Sequence, residues 1–419
     1  MRILLSDGSG LTARQVAGEL AGRGHHVEVL SPDPVCLCRF TRHVRHVWRV
    51  PAYGTDPWGW LDAALSAYRR GRFDLLFPTQ EQVAVLAAAP DLLCEAGVVT
   101  AVPTFAALSA VQDKVSAYRT LGRLGIPQPL AALGVAEWDT FPAFVKDPIG
   151  TASGGVRRVT SARELADAAP SGREVLVQEA LDGPLAMCQS VFERGRLVAF
   201  HANLRTGEGA NGGASHKLSV SLPDAQAGLE RIGGDLAWHG ALSADVIVTG
   251  DGSRFIDINP RLVEPANARR AGVDLVGALV DVATGTPTDP QAPGDPGIAT
   301  HQLLLAVLGA AQRGRGRRGV ASELAAALRR ADRYAASHEE LTPVHRDPVA
   351  AVPVALAAAA TLLRPSWWRW FVSSSVSSYA LSPEGWRQVR ERAEDLVGER
   401  AQRAAPGVDR PRPRSDARG

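Results

Sequence analysis

Lysine is nearly absent from this chain. Of its 46 basic residues among 419, only Lys114, Lys146 and Lys217 are lysines. Cysteine is scarce too: Cys36, Cys38, Cys94 and Cys188 are irregularly spaced. That excludes a disulfide framework and reads as reduced thiols in a cytoplasmic protein. Cys36-x-Cys38 lacks the paired spacing of a zinc site. A net charge of +2 leaves no basic excess to hold a nucleic acid. Long apolar runs are also missing. Met1–Leu5 stops at Ser6-Asp7-Gly8, too soon for a signal peptide. The uncharged, Ala-rich stretch Pro348–Leu363 has 16 residues, against the roughly 20 that span a bilayer. Pro353 interrupts it, and an aromatic-basic cluster at 364–371 follows. A buried helix with an aromatic docking segment accounts for 348–371, and peripheral contact with a membrane surface is the alternative.

What remains is ordinary for a globular protein: 45% hydrophobic and 21% charged residues, with length for two or three domains. Short apolar runs at Ile3–Leu5, Val27–Leu30, Asp74–Phe77 and Val98–Ala101 alternate with helical spacing. This predicts a parallel sheet over residues 1–110, an N-terminal α/β domain of Rossmann-like kind. The turn Pro78-Thr79-Gln80-Glu81 follows a strand end, where sites in such sheets gather. A helix is expected from Asp113 to Leu124, stopped by Gly125-Ile126-Pro127. Residues 111–290 then read as an α+β block with a lid at about 141–182. A helical C-terminal extension is expected over 291–400, and a disordered Arg/Pro-rich tail over 401–419.

Two β-branched runs flank Thr249-Gly250-Asp251-Gly252-Ser253, a hairpin signal. Its symmetry sets Asp245 opposite Asp257, and strand period places Asn259 on the face of Asp257. Like charges in opposition destabilise a hairpin unless a cation lies between them. Oxygen-only ligands suit Mg²⁺. Arg261, two residues on, is placed for an anionic substrate or a phosphate.

Phe144-Val145-Lys146 reads as a strand leading into a loop of small residues, Gly150-Thr151-Ala152-Ser153-Gly154-Gly155. Backbone N–H groups of such a loop can close over phosphates. It is no P-loop, because no Gly-Lys-Ser/Thr follows. A compact ammonium suits crowded phosphate oxygens better than a planar guanidinium, which gives the surviving lysines a reason.

Gln112-Asp113-Lys114, Phe144-Val145-Lys146-Asp147-Pro148 with its loop, Val175-Leu176-Val177-Gln178-Glu179-Ala180-Leu181-Asp182-Gly183 and Phe255-Ile256-Asp257-Ile258-Asn259-Pro260-Arg261 occur in this order. In order and spacing, residues 110–280 resemble the ATP-grasp superfamily of carboxylate–amine ligases. The resemblance implies that Lys114 and Lys146 bind ATP phosphates and that Gly150, Ser153, Gly154 and Gly155 belong to the mobile lid. It implies that Gln178, Glu179 and Leu181 form the hinge at adenine. It further implies that Asp245, Asp257 and Asn259 hold Mg²⁺ (Mn²⁺ being the substitute), and that Lys217, Arg205 and Arg261 face the reacting groups. Asp replaces the family's more usual Glu at the metal. The usual ribose-binding acid is not evident at Leu185, so Asp182 is the substitute.

The implied activity joins a small-molecule carboxylate to an amine through an acyl phosphate, with a homodimer as one arrangement. The alternatives are a carboxylase or carbamoyl-phosphate-type enzyme acting on bicarbonate, and a non-catalytic ATP-binding scaffold.

Overall fold

A computed structural model of the chain describes residues 1–135, 138–151, 154–169, 174–314, 316–341 and 347–404, without the side chains of 400–404. Ser153 and most of the 401–419 tail lie outside the described residues.

The first sheet contains β1 (Arg2–Leu5), β2 (His26–Ser31), β3 (Val44–Arg49) and β4 (Leu75–Phe77), all parallel in the order β3-β2-β1-β4. β1, β2 and β4 are mostly apolar and buried because both faces of the sheet are covered there. Alternation sends Ile3, Leu5, Val27 and Val29 to one core, against the helices Leu11–Gly22 and Leu275–Thr284. Leu4, Leu30 and Leu76 go to the other, against the helices Pro57–Gly71 and Val83–Ala88. The expected strand at Val98–Ala101 is not formed. Leu76 donates its N–H to the Val99 carbonyl, but the segment makes no ladder. The edge strand β3 was hidden because it is largely exposed and lacks alternation.

The second sheet is antiparallel and comprises β5 (Ala131–Leu133), β6 (Ala143–Lys146), β7 (Val156–Val159) and β8 (Leu176–Glu179), ordered β5-β8-β6-β7. It is a small layer with its own core around Val145, Leu165 and Val177.

The third sheet has seven strands. They are β9 (Leu185–Glu193), β10 (Arg196–Glu208), β11 (Ala214–Val220), β12 (Gly240–Thr249), β13 (Gly252–Asn259), β14 (Ala299–His301) and β15 (Ser337–Glu339). Their order is β13-β12-β9-β10-β11-β14-β15. Only β14 and β15 pair in parallel.

The helix after the first domain runs from Lys114 to Arg123, one residue shorter at each end than expected, because Asp113 is its N-cap and accepts from Ser116 N–H at 2.8 Å. Arg313 and Gly314 form a turn, and Arg317 and Arg318 lie in the helix Gly316–Arg329. The Ala-rich stretch forms the helix Ala351–Leu363, followed by Trp368–Tyr379 and Pro383–Ala404. Among the described residues, no helix is long and apolar enough to cross a membrane.

Candidate active site

The second and third sheets face each other across a cavity of about 1560 Å³, which the first domain and the C-terminal helices close at the sides. Lys114, Lys146, Gly150, Gln178, Glu179, Leu181, Arg205, Lys217, Asp245, Asp257, Asn259 and Arg261 all line it. Residues spread over about 150 positions are therefore gathered in one space.

The hairpin explains how the carboxylates meet. Thr249 pairs with Gly252, which closes a two-residue turn at Gly250-Asp251. Continued without interruption, that register would set Asp245 against Ile256. A β-bulge intervenes: Val246 pairs with Phe255 and Asp245 with Asp257, which leaves Ile256 as the extra residue. The bulge has a second consequence. The Ile256 carbonyl accepts from Lys146 Nζ at 2.8 Å.

Lys146 ends β6 with its side chain buried, and its ammonium also donates to Gln178 Oε1 at 2.7 Å. Phe144 opposes Gln178 across the β6–β8 ladder, which brings the amide alongside the lysine two positions on. Burial pulls the Lys146 pKa down to about 8, against the attraction of Asp257. Asp245 moves the other way. Burial, then the neighbouring Asp257 charge, raises its pKa to about 7. Two carboxylates paired across the hairpin, with Asp245 buried, leave a place for a cation. Asp245, Asp257 and the Asn259 amide are the hard oxygen donors that suit Mg²⁺ or Mn²⁺. Among the described residues no group of three or more His, Cys, Asp or Glu forms a metal cluster, so the amide oxygen would complete the set.

Lys114 reaches the cavity from the opposite side. Its Nζ donates to the Gly150 carbonyl at 3.2 Å, and its N–H to Pro148 at 2.9 Å. The helix start is thus tied to the glycine loop. A Cβ at Gly150 would lie 2.0 Å from the Gly154 carbonyl, and Gly155 has φ +73°. Both positions require glycine. Gly154 and Gly155 close this loop but do not line the cavity.

At the hinge, the Glu179 carboxylate is engaged by Leu130 N–H at 2.6 Å. Leu181, Leu185 and Met187 supply apolar wall beyond it. Asp182 is exposed and outside that wall.

The remaining cations are already partnered. Arg261 Nε donates to Glu81 Oε1 at 3.1 Å, joining the first sheet's Pro78–Glu81 turn to the site. Arg205 Nη1 donates to the Gly212 carbonyl at 2.6 Å. Lys217 is buried between Glu264 Oε2 at 2.6 Å and Glu340 Oε2 at 2.8 Å. Burial opposes its charge, but the two carboxylates outweigh burial and hold its pKa above the lysine norm. His216 lies on the other face of β11, stacked on His301 and edge-on to Tyr334. Burial and Arg333 lower its pKa to about 3, so it stays neutral. Sequence reasoning missed Glu264 and Glu340, and marked Glu81 only as part of its turn, without a role. The position of Glu81 just past a strand end was the one available signal.

Neither a family model nor a curated protein sequence matches the chain. Solved structures do. The biotin carboxylase domain dimer of Hydrogenobacter thermophilus 2-oxoglutarate carboxylase, solved with MgADP, ADP and bicarbonate, matches with a TM-score of 0.57 at 14% identity over 72% of this chain and 74% of that one. N5-carboxyaminoimidazole ribonucleotide synthetase from Thermus thermophilus gives 0.53 at 18% identity, covering 71% and 81%. L-amino acid ligase from Bacillus licheniformis gives 0.53 at 13% identity, covering 68% and 76%. These proteins share the ATP-grasp fold, and this chain has it too.

Proposed function

We propose that the protein is an ATP-dependent, ADP-forming ligase that activates a small-molecule carboxylate as its acyl phosphate for attack by an amine. The observation that carries this reading is the gathering of Lys114 and Lys146 opposite Asp245, Asp257 and Asn259 beneath one glycine loop. A carboxylate is a poor electrophile, and phosphorylation provides the leaving group that an amine can displace.

Lys146 holds a phosphate from the floor and Lys114 from the lid side. The glycine loop, with Gly150 and Thr151 at the cavity wall, closes over it and keeps out the water that would hydrolyse an acyl phosphate. Gln178, Glu179 and Leu181 orient the nucleotide base at the hinge. Asp245, Asp257 and Asn259 would hold Mg²⁺, which when bound neutralises charge on the transferred phosphoryl group. Arg261, steadied by Glu81, and Arg205, steadied by Gly212, present guanidinium groups to the anionic substrate. Lys217 acts at the reacting end through its remaining donor. The partners are small molecules, with a second copy of the chain as the candidate assembly, and the setting is cytoplasmic.

Activity on bicarbonate is the second reading. Two neighbours are named as carboxylase or carboxyamino-forming enzymes, and one is solved with bicarbonate. ADP release decides between them. Release that needs both a carboxylic acid and an amine supports the ligase. Release driven by bicarbonate alone replaces it, and bound MgATP without any turnover leaves a scaffold. Asp257→Asn should abolish Mg²⁺-dependent ADP release in a protein with an unchanged circular dichroism spectrum. Retained release would place the metal elsewhere.

A further inference from the structure

The cavity, about 1560 Å³ against the roughly 300–1,000 Å³ of ordinary ligand pockets, takes in more than the lysines and carboxylates, and its far end differs in kind. There the wall comes from the C-terminal helices Ala351–Leu363 and Trp368–Tyr379 and the turn Pro365–Trp367 between them, through Leu356, Trp367, Trp370 and Phe371, with Leu304 and Leu308 behind them. The helix Ala351–Leu363 has no charged residue. Leu356 is 53% exposed, Trp367 46% and Trp370 66%, although all three line the cavity.

This wall is fixed in place. Leu304, Leu308, Ala357, Trp368, Phe371 and Val372 pack into a core of their own. Ser375 Oγ donates to the Ser9 carbonyl at 2.7 Å, fastening the aromatic helix to the first domain. The chain therefore holds a preformed apolar surface, still open to water, in the same space as the lysines and carboxylates.

We infer that this wall is a substrate subsite, and that the carboxylate activated at the polar end carries a sizeable aliphatic or aromatic body lying against Leu356, Trp367 and Trp370. The inference rests on the ligase reading. Continuity with the reacting groups is what favours a small molecule over a macromolecule. A bound molecule with its anionic head near Arg205 and Arg261 can lay an apolar body along this wall, because the Leu181, Leu185 and Met187 face belongs to the nucleotide base in the ligase reading. Bicarbonate or glycine would leave it wet. Ligand pockets of this form join a long apolar wall to a few convergent polar groups.

The test titrates full-length protein with butanoate, hexanoate and octanoate by calorimetry, without nucleotide. Affinity is expected to rise about fourfold per methylene, the gain for burying one CH₂. In the double variant Leu356→Ala, Trp370→Ala that gain should fall by at least half. Both side chains are exposed, so the fold should survive, and circular dichroism checks it. A wild-type affinity that does not grow with chain length overturns the inference, as does an undiminished gain in the variant. Capture by phosphatidylcholine vesicles that is lost in the variant, together with a flat alkanoate series, overturns it in favour of lipid docking. A separate MgATP titration keeps the two readings apart. Failure to bind MgATP defeats the ligase while the alkanoate series still reports on the wall. MgATP binding with a flat series defeats only the wall.

Discussion

Lys146 meets two opposing demands. A phosphate site wants it charged, and burial against Gln178 and Ile256 resists that charge, bringing its pKa to about 8. The pocket around Nζ has acceptors at 2.7 and 2.8 Å, so a guanidinium, wider and planar, cannot take its place without displacing one of them. Lys146→Arg should weaken MgATP binding by at least about tenfold, or roughly 1.4 kcal/mol. Calorimetry that finds unchanged affinity would refute the crowding. Asp245 supplies the pH behaviour. Its pKa rises from 3.8 unfolded to about 7 folded, so the native state binds the proton more tightly. Its contribution is full below about pH 4 and is lost as pH climbs through about 7. In metal-free protein, wild type should therefore lose thermal stability relative to Asp245→Asn between about pH 4 and pH 7. Parallel melting curves for the two proteins across that window would count against the buried carboxylate pair. Lys217 shows how the same kind of residue serves differently: two glutamates hold it, so it also ties β11 to Glu340, the residue just past β15.

The elements show what can be read from a chain and what cannot. The hairpin around Gly250-Asp251, the lysine strand and the loop after it were legible because turn residues and β-branched runs are local signals. The opposition of Asp245 and Asp257 was also anticipated, though for an incomplete reason. Symmetry about Asp251 implied a continuous ladder, whereas the true turn is one residue shorter and the bulge at Ile256 restores the pairing. Nothing local marks a bulge at an isoleucine. Its effects are visible only in the fold: Asp257 faces Asp245, and the Ile256 carbonyl accepts from Lys146. The glycine loop carries its own test. At Gly150 a methyl group would meet the Gly154 carbonyl at 2.0 Å, and neither backbone can yield without opening the loop. Overpacking of this kind costs about 1–3 kcal/mol. Gly150→Ala should weaken MgATP binding by about tenfold or more, since 1.4 kcal/mol is a factor of ten. The melting temperature should hardly change, because the loop contributes little to any core. A fall in melting temperature with intact binding would give Gly150 a structural role instead.

At the scale of the whole molecule, the C-terminal region completes other domains. β15 extends the seven-stranded sheet, and the aromatic helix walls the cavity. The last helix, Pro383–Ala404, returns to the first domain and lays Trp386, Val389 and Ala393 into the core beneath Leu4 and Leu76. Trp386 stands 5.8 Å from the Phe105 ring, and Trp58 donates its indole N–H to the Gln388 carbonyl at 3.2 Å. Composition alone could not show this, because a polar helix with a narrow apolar stripe does not name its partner. The consequence is measurable. Truncating a buried tryptophan costs about 3–5 kcal/mol, and here the cavity would open between the last helix and the first domain, away from the nucleotide site. Trp386→Ala should therefore lower the urea midpoint by an amount equivalent to about 3 kcal/mol or more. The folded fraction should bind MgATP as the wild type does. A loss below about 1 kcal/mol, the scale of an ordinary surface substitution, would mean that the helix is an appendage rather than part of the first domain's core.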